Sequence, residues 1–289
     1  MPVAAPEVRE RAEWAQGLPP VGPLQPEEDV RFLLVHHTAS SNVGAGTAVA
    51  QLRSFYGYHT GTKGWPDIAY NFLIDPDGQI WEGRQGSLAG PVRGDATGGS
   101  QGHALLCCFI GDFAAVSPTA AALDAMTRLL AWLAQTYAVD LAEDSRITFT
   151  SRGSNRWPAG ASVTTTPIAG HRDMSQTTCP GDAAYALIAS TLWPGARALL
   201  DSVRPTSSPA PTGASEPTAS PSLAESAGPG PSPTEGWSAQ AAAQVTPEPG
   251  ISWPLAVAGA GGVAVAAGLG WVINRRMRAG GSGAGSHRQ

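Results

Sequence analysis

The stretch that decides the fold is Phe32–His37, which reads FLLVHH. Four apolar residues in succession are typical of a strand that is buried on both faces of a sheet. His36 follows these four residues directly, so its imidazole is expected at the end of a core strand. A second apolar run, Ala104–Ile110, predicts another buried strand, and Pro167–Ala169 predicts a short last strand.

Helical and turn patterns alternate with these strands. Apolar residues recur at helical spacing in Ala48–Tyr58, and Ser117 is in position to cap a long helix. The turn sequence DPDG at Asp75–Gly78 separates two short strand-like runs and predicts a hairpin. The alternation predicts a single α/β domain over residues 31–200, with a central mixed β-sheet flanked by helices, after an N-terminal segment, residues 1–30.

Composition limits both the partners and the architecture of the chain. Charged residues make up 14% of the 289 residues, and the formal net charge of −5 provides no basic field that would attract nucleic acid. Three cysteines are too few for a disulfide framework. Cys107 and Cys108 lie in an apolar strand and are expected to be buried, pointing to opposite faces. Residues 201–250 are rich in Pro, Ser, Thr, Ala and Gly without apolar periodicity, which predicts a disordered stalk.

Residues 251–274 predict one C-terminal transmembrane helix. Trp253–Ile273 carries no charge and has the length of about 20 residues that a bilayer core requires, with tryptophans near both ends. Arginines follow at once, so the tail, residues 275–289, is expected in the cytoplasm and the domain outside, as in a single-pass protein of the cell membrane. The alternative is an Ala/Gly-rich linker. Residues 1–30 lack the apolar run of a signal peptide, so an in-frame upstream extension that carries one is expected.

Three residues could supply a zinc site. His36 and His171 each follow a short apolar stretch, and Cys179 lies just before the predicted final helix, Asp182–Leu192. Catalytic zinc sites use three protein ligands from His, Cys and carboxylate side chains and keep one open position. Their spacing alone is not diagnostic, because a histidine at a strand end is often structural and a lone cysteine is usually a small core residue.

Five blocks, taken in order, resemble the peptidoglycan recognition proteins and the related N-acetylmuramoyl-L-alanine amidases. The resemblance covers about residues 8–200, and Arg11–Trp14 is also similar to the first segment of that domain. The blocks are VHHTA at 35–39, GWPDIAYNF at 64–72, DG at 77–78 with WEGR at 81–84, FIGDF at 109–113, and GHRD at 170–173 with CPG at 179–181.

The resemblance implies a zinc-dependent enzyme. It assigns His36, His171 and Cys179 as the ligands of Zn²⁺, and it implies hydrolysis of the amide bond between N-acetylmuramic acid and L-alanine in bacterial peptidoglycan. Members that have lost catalysis and only bind the wall typically carry serine at the position of Cys179. The alternatives are a non-catalytic peptidoglycan-binding receptor or adhesin, and a zinc hydrolase that acts on a different amide.

Two further residues are catalytic candidates by resemblance. Tyr70 matches the family's catalytic tyrosine, whose hydroxyl would orient the attacking water or stabilise the oxyanion. The alternative is a strand tyrosine with its hydroxyl at the surface. Thr177 lies two residues before Cys179, where animal amidases often carry threonine, and its hydroxyl could contact the water or the oxyanion.

Three residues are candidates for binding the muramyl stem peptide. Gly64 and Trp65 match a pair that accompanies diaminopimelate-type stems, and Arg84 would then bind the extra carboxylate bidentately. The alternatives are that Trp65 anchors its loop and that Arg84 forms a surface ion pair, for example with Glu82. His59 would line the cleft or lie at an exposed helix end.

Overall fold

A computed structural model describes residues 2–42, 46–96 and 102–203 of the chain. The strands are β1 Val8–Arg9, β2 Phe32–His37, β3 Phe72–Ile74, β4 Ile80–Glu82, β5 Ala104–Phe109, β6 Ile147–Thr150, β7 Ser162–Thr165 and β8 Ile168–Gly170. The α-helices are α1 Arg11–Ala15, α2 Ala48–Gly57, α3 Ala120–Thr136, α4 His171–Met174, α5 Asp182–Leu187 and α6 Trp193–Val203. Single π-helical turns, Tyr58–Thr62 and Ile188–Leu192, follow α2 and α5.

The central sheet has the strand order β1-β4-β3-β5-β2-β8. Strand β2 runs parallel to both of its neighbours, β5 and β8, and β3 pairs parallel with β5 but antiparallel with β4. Strands β6 and β7 form a separate antiparallel hairpin. The expectation of a mixed sheet flanked by helices is confirmed. The all-apolar run that predicted a buried strand forms β2, which lies between β5 and the edge strand β8.

The two faces of the sheet pack against different elements. Leu33 and Val35 join a cluster with residues of α3, α5 and α6, whereas Phe32 and Leu34 point to the opposite face. Because side chains alternate along a strand, His36 lies on the face of Phe32 and Leu34, away from α3. The candidate ligand therefore lies on the face of the sheet that does not pack against α3.

Two apolar clusters cover this second face. We call one the helical cluster, formed by Trp14, Ala15, Leu52, Tyr56, Ile68, Leu73, Trp81, Cys108 and Ile110. We call the other the hairpin cluster, formed by Phe32, Leu34, Ala104, Leu106, Phe149, Val163, Ala169 and Met174. Tyr70 packs against both clusters. It therefore marks the boundary between them, close to His36.

The N-terminal segment packs into the domain. Trp14 is fully buried, and its indole N–H donates to the carbonyl of Glu82 at 2.7 Å. Arg11 forms a two-point ion pair with the fully buried Asp67, with Nη2–Oδ1 at 2.8 Å and Nε–Oδ2 at 3.2 Å. The backbone N–H of Gln85 donates to the same carboxylate. Asp67 thus ties α1 to the loops beside the second face.

Replacing Asp67 with alanine is expected to reduce the free energy of unfolding by about 3 kcal/mol, because Arg11 would keep a buried charge without its partner. Asp124 provides a matched control, since its ion pair with Arg128 is exposed. Asp124→Ala is expected to cost less than about 1 kcal/mol. Urea denaturation of both variants measures the difference, and equal losses would contradict the structural role of the buried pair.

Two predicted helix boundaries differ from the observed ones. The cap of α3 is Thr119, not Ser117, because the Thr119 hydroxyl accepts from the N–H of Ala122 at 3.1 Å and donates to the carbonyl of Pro76. The helix predicted over Asp182–Leu192 is interrupted by a π-helical turn and continues as α6 to Val203. The last described helix of the chain therefore ends at Val203.

The prediction of a membrane location is not supported. No helix in residues 2–42, 46–96 and 102–203 has the length and apolar character needed to cross a membrane. This finding contradicts the expected single-pass location in the cell membrane, which is not retained. The predicted stalk beyond Val203, the predicted span at 251–274 and the predicted cytoplasmic tail lie outside the described residues.

Candidate metal centre

His36 forms the floor of the site. It is the fifth residue of β2 and is fully buried. Its Nδ1 lies 3.7 Å from the sulfur of Cys179, and its Nε2 has no hydrogen-bond partner among the described residues. A rigid core strand thus presents one imidazole to the second face of the sheet.

His171 reaches the same point through the pairing of two parallel strands. Val35 is the register partner of Gly170, so the residues that follow each of them, His36 and His171, lie side by side. Their ring centroids are 4.5 Å apart. The ligand atoms of these two histidines and of Cys179 all lie within 4.8 Å of one another. The structure therefore brings together the three residues that the sequence nominated.

A tightly packed loop places Cys179. Its sulfur accepts from the backbone N–H of His37 at 3.4 Å, and its carbonyl accepts from the N–H of Arg172 at 3.0 Å. Gly181 follows with φ of +88°, and a Cβ there would meet the backbone of Phe113 at 2.3 Å. Only glycine allows this approach. The close contact holds the cysteine loop against the end of the sheet.

The three donor groups are neutral by themselves. Burial, followed by the neighbouring His171 and His37, lowers the pKa of His36 well below its ordinary value. Burial and His37 lower the pKa of His171 to about 4. Burial raises the pKa of the Cys179 thiol to about 12, against the opposing effects of the His37 N–H and the Arg172 charge.

This donor set fits zinc. Neutral imidazoles have a lone pair available for a metal, and zinc prefers imidazole and thiolate ligands in catalytic sites with three protein ligands. A divalent cation would offset the burial that keeps the thiol protonated, because a coordinating thiol loses its proton. In addition, Nε2 of His36 is buried and has no hydrogen-bond partner among the described protein atoms.

Tyr70 lies beside the three donors. Its ring centroid is 5.2 Å from that of His36 and 5.7 Å from that of His59. Burial raises the pKa of Tyr70 well above its ordinary value, with further contributions from Cys108 and Cys179 and from a hydrogen bond to Cys108. The phenol therefore stays protonated and can donate. This position does not fit the alternative of a strand tyrosine with its hydroxyl at the surface.

Cys108 is a neighbour of the site that the sequence reasoning missed. The residue is buried, as expected, and it points away from Cys107 into the helical cluster. Its register partner on β2 is His36, which places its thiol near Tyr70. No sequence signal could have identified this contact, because it depends on how β5 pairs with β2.

Thr177 braces the cysteine. Its hydroxyl oxygen accepts from the backbone N–H of Cys179 at 3.2 Å, which closes a short turn between the two residues. This observed contact of the threonine stabilises the loop that carries Cys179. A catalytic contact of its hydroxyl stays a prediction.

His59 and Trp65 lie in one group with Tyr70. The rings of His59 and Trp65 are 5.0 Å apart. His59 is buried, and its Nδ1 accepts from the N–H of Ala69 at 3.2 Å, so the remaining proton is on Nε2. Burial, with the charges of Lys63 and Arg84, lowers the pKa of His59 to about 4. The alternative of an exposed histidine at a helix end does not agree with this environment.

Arg84 is buried and does not form the surface ion pair with Glu82 that the sequence offered as an alternative. Its side chain is only 2% exposed, and its Nη2 lies 2.6 Å from Oδ2 of Asp95. Its Nη1 donates to the carbonyl of Ile68 at 3.0 Å. Its ion-pair partner is thus Asp95 and not Glu82, because the side chain turns into the protein. Substrate binding by Arg84 stays a prediction.

Arg172 and Asp173 were quoted in a sequence block without a role. Arg172 pairs with Asp182 at 2.7 Å, and its guanidinium lies 4.6 Å from the ring centre of Tyr185. Asp173 accepts from the N–H of Gly170 and from the hydroxyl of Tyr185, each at 2.8 Å. The two charged residues thus tie the start of α4 to α5.

The fold and the site define the class of the protein: an α/β domain with a buried cluster of two histidines and one cysteine at the end of parallel strands, suited to bind a metal. The family model described as N-acetylmuramoyl-L-alanine amidase matches residues 26–182, more than half of the chain. This protein belongs to the family of peptidoglycan recognition proteins and N-acetylmuramoyl-L-alanine amidases.

This chain is similar to several individual proteins. The chain is 32% identical to mouse (Mus musculus) peptidoglycan recognition protein 1 over 182 residues, which are 62% of this chain and 85% of the relative. It is 28% identical to the N-acetylmuramoyl-L-alanine amidase of pig (Sus scrofa) over 195 residues, 66% of this chain but only 28% of that relative. The solved structure of Drosophila peptidoglycan recognition protein SD is 26% identical with a TM-score of 0.49, covering 63% of this chain and 92% of that chain.

Proposed function

We propose that this protein is a zinc-dependent amidase that hydrolyses the bond between N-acetylmuramic acid and L-alanine in bacterial peptidoglycan. The observation that carries the proposal is the convergence of His36, His171 and Cys179, whose ligand atoms lie within 4.8 Å of one another. The name of the pig relative supports the reaction, and membership of the family supports peptidoglycan as the partner.

The residues around the metal centre have distinct roles in this mechanism. Zinc bound by the three ligands would act as a Lewis acid on the amide carbonyl and lower the pKa of water. Tyr70 keeps its proton and donates a hydrogen bond to the carbonyl oxygen as negative charge develops there. Thr177 holds the turn that presents Cys179. The preformed positions of these groups avoid reorganisation during the reaction.

The stem peptide is proposed to lie along His59 and Trp65. The Nε2–H of His59 is a fixed donor because Nδ1 is already occupied by the Ala69 N–H. Trp65 is half-buried and presents an aromatic surface beside it. For a diaminopimelate-type stem, Arg84 would bind the extra carboxylate in exchange for its present partner, Asp95.

The alternative function is a receptor that binds peptidoglycan without cleaving it, which the name of the mouse relative supports. Cys179 favours the enzyme. A thiolate adds a negative charge to two neutral imidazoles, whereas a site for binding alone needs no metal ligand at this position.

Digestion of purified peptidoglycan sacculi tests the proposed function. The zinc-loaded protein is expected to release stem peptides with a free N-terminal L-alanine and to leave glycan strands with intact lactyl groups, both measured by mass spectrometry. Removal of the metal with a chelator should stop the release, and added zinc should restore it, because the metal is required for the reaction.

Each other outcome of this experiment has a definite meaning. Sedimentation of the zinc-loaded protein with sacculi, without any released peptide, would support the receptor. Release that continues at full rate after complete metal removal would contradict the zinc mechanism. Mass spectra that show cleavage of another bond would overturn the assigned reaction.

A further inference from the structure

The loop between β6 and β7 contacts the segment that carries two of the metal ligands. We call Ser154–Trp157 the latch. Its four side chains each form a hydrogen bond of 2.8 Å to the backbone of residues 172–176. Ser154 Oγ donates to the carbonyl of Met174, Arg156 Nη1 to that of Arg172 and Trp157 Nε1 to that of Asp173, and Asn155 Oδ1 accepts from the N–H of Gln176.

These bonds provide hydrogen-bond partners for backbone groups at the end of the short helix α4. The helix has four residues, and its first carbonyl, that of His171, accepts from the N–H of Ser175. The last carbonyls of any α-helix have no partner within the helix. In α4 the three carbonyls that follow His171 are the ones that the latch binds. A helix of this length is not stable alone, so the latch replaces helical length with external hydrogen bonds.

The latch itself is firmly held. The indole of Trp157 packs against the hairpin cluster, and the carbonyl of Trp157 accepts from the hydroxyl of Ser151 at 3.2 Å. The hairpin strands are paired over four residues on each side. Thus a rigid hairpin holds α4 from one side, while Asp173 and Arg172 hold it from the other through Tyr185 and Asp182.

The position of the latched segment matters for the metal. His171 is the first residue of α4 and Cys179 follows its end by five residues, whereas His36 lies on the core strand β2. Two of the three ligands therefore lie on a segment with little regular structure, and one lies on a rigid strand. A metal ion binds more tightly where the positions of its donors are preset than where they must be ordered on binding.

We propose that the latch positions the His171–Cys179 segment and thereby sets the affinity for zinc, although no latch side chain is itself a proposed ligand. This inference rests on the zinc centre of the proposed function. Loss of partners that orient metal ligands typically weakens metal binding by about 10- to 100-fold. Because the latch binds the backbone beside the ligands, the expected change for two lost bonds is near the lower end of this range.

The test measures zinc affinity by competition with a chromogenic chelator. Trp157→Phe keeps the ring and removes the N–H, and Asn155→Ala removes an exposed acceptor; together they are expected to weaken zinc binding by about tenfold. Trp193→Phe is the matched control. The indole N–H of Trp193 also donates to a carbonyl, that of Leu141 at 2.9 Å, but Trp193 lies on α6 and not on the latch. The affinity of this variant should equal that of the original chain.

Asn155→Asp provides a second, conservative comparison. Aspartate retains an oxygen that can accept from the Gln176 N–H, so the zinc affinity of this single variant should equal that of the original chain. Equal affinities for Trp157→Phe/Asn155→Ala and Trp193→Phe would overturn the latch while leaving the zinc centre intact. Failure of the original chain to bind zinc would instead overturn the metal centre and the latch together.

Discussion

Replacing Cys179 with serine is expected to abolish tight zinc binding and to reduce the release of stem peptides to background. The thiolate is the only anionic group among the three proposed ligands, and two neutral imidazoles remain without it. The loss should exceed the roughly 10- to 100-fold weakening that follows removal of an outer partner of a metal ligand. Zinc content by elemental analysis and sacculus digestion measure the two effects.

The variant should still fold, which makes the experiment informative. A serine hydroxyl can accept from the same His37 N–H that the sulfur accepts from at 3.4 Å. Cys107→Ser is a control with the identical chemical change. Cys107 is also buried, but its side chain lies on the face of the sheet opposite to the metal centre. This variant should lose stability and keep one zinc per chain. Full zinc content and full activity in Cys179→Ser would refute the assigned ligand set.

Replacing Tyr70 with phenylalanine is expected to lower kcat by about 10²- to 10³-fold while zinc content stays unchanged. This is the usual effect of removing one donor that stabilises an oxyanion, about 2.7–4 kcal/mol. The ring would still pack between the helical and hairpin clusters, so the substitution removes the hydroxyl alone. Because the interaction is made mainly in the transition state, KM should change little.

Tyr56→Phe is the matched control for this experiment. Tyr56 belongs to the helical cluster, and its hydroxyl donates to the carbonyl of Pro19 at 2.6 Å, away from the metal centre. Its loss should cost about 1 kcal/mol of stability and leave kcat unchanged. If Tyr70→Phe and Tyr56→Phe have the same rate as the original chain, Tyr70 is not the oxyanion donor.

Local features of the fold were predicted correctly from the sequence, whereas features that depend on long-range contacts were not. The run of four apolar residues predicted β2 correctly, because burial on both faces demands such a run. The cap of α3 was misplaced by two residues, since Ser117 and Thr119 have similar capping ability and the contact of Thr119 with Pro76 decides between them. That contact joins residues 43 positions apart, which a local pattern does not contain.

The site shows the same division. Resemblance nominated the ligands His36, His171 and Cys179, and their side chains converge in the structure. The partner of Arg84 was not predictable, because its buried side chain pairs with Asp95, which is eleven positions away, and not with its neighbour Glu82. The direction of a long side chain depends on the packing around it and not on adjacent residues.

The sequence by itself determined the α/β class and the buried core strands, because both depend on residue type or on spacing within a few positions. Its resemblance to a known family nominated the three donor residues. The tertiary structure decided the rest. Parallel pairing of β2 with β8 places His171 beside His36, and a hairpin from another part of the chain holds the segment that leads to Cys179. The pairing of β2 with β8 joins residues more than 130 positions apart, and the bond from Trp157 to Asp173 joins residues 16 positions apart. Neither contact is contained in a local sequence pattern, so the packing of the domain sets both.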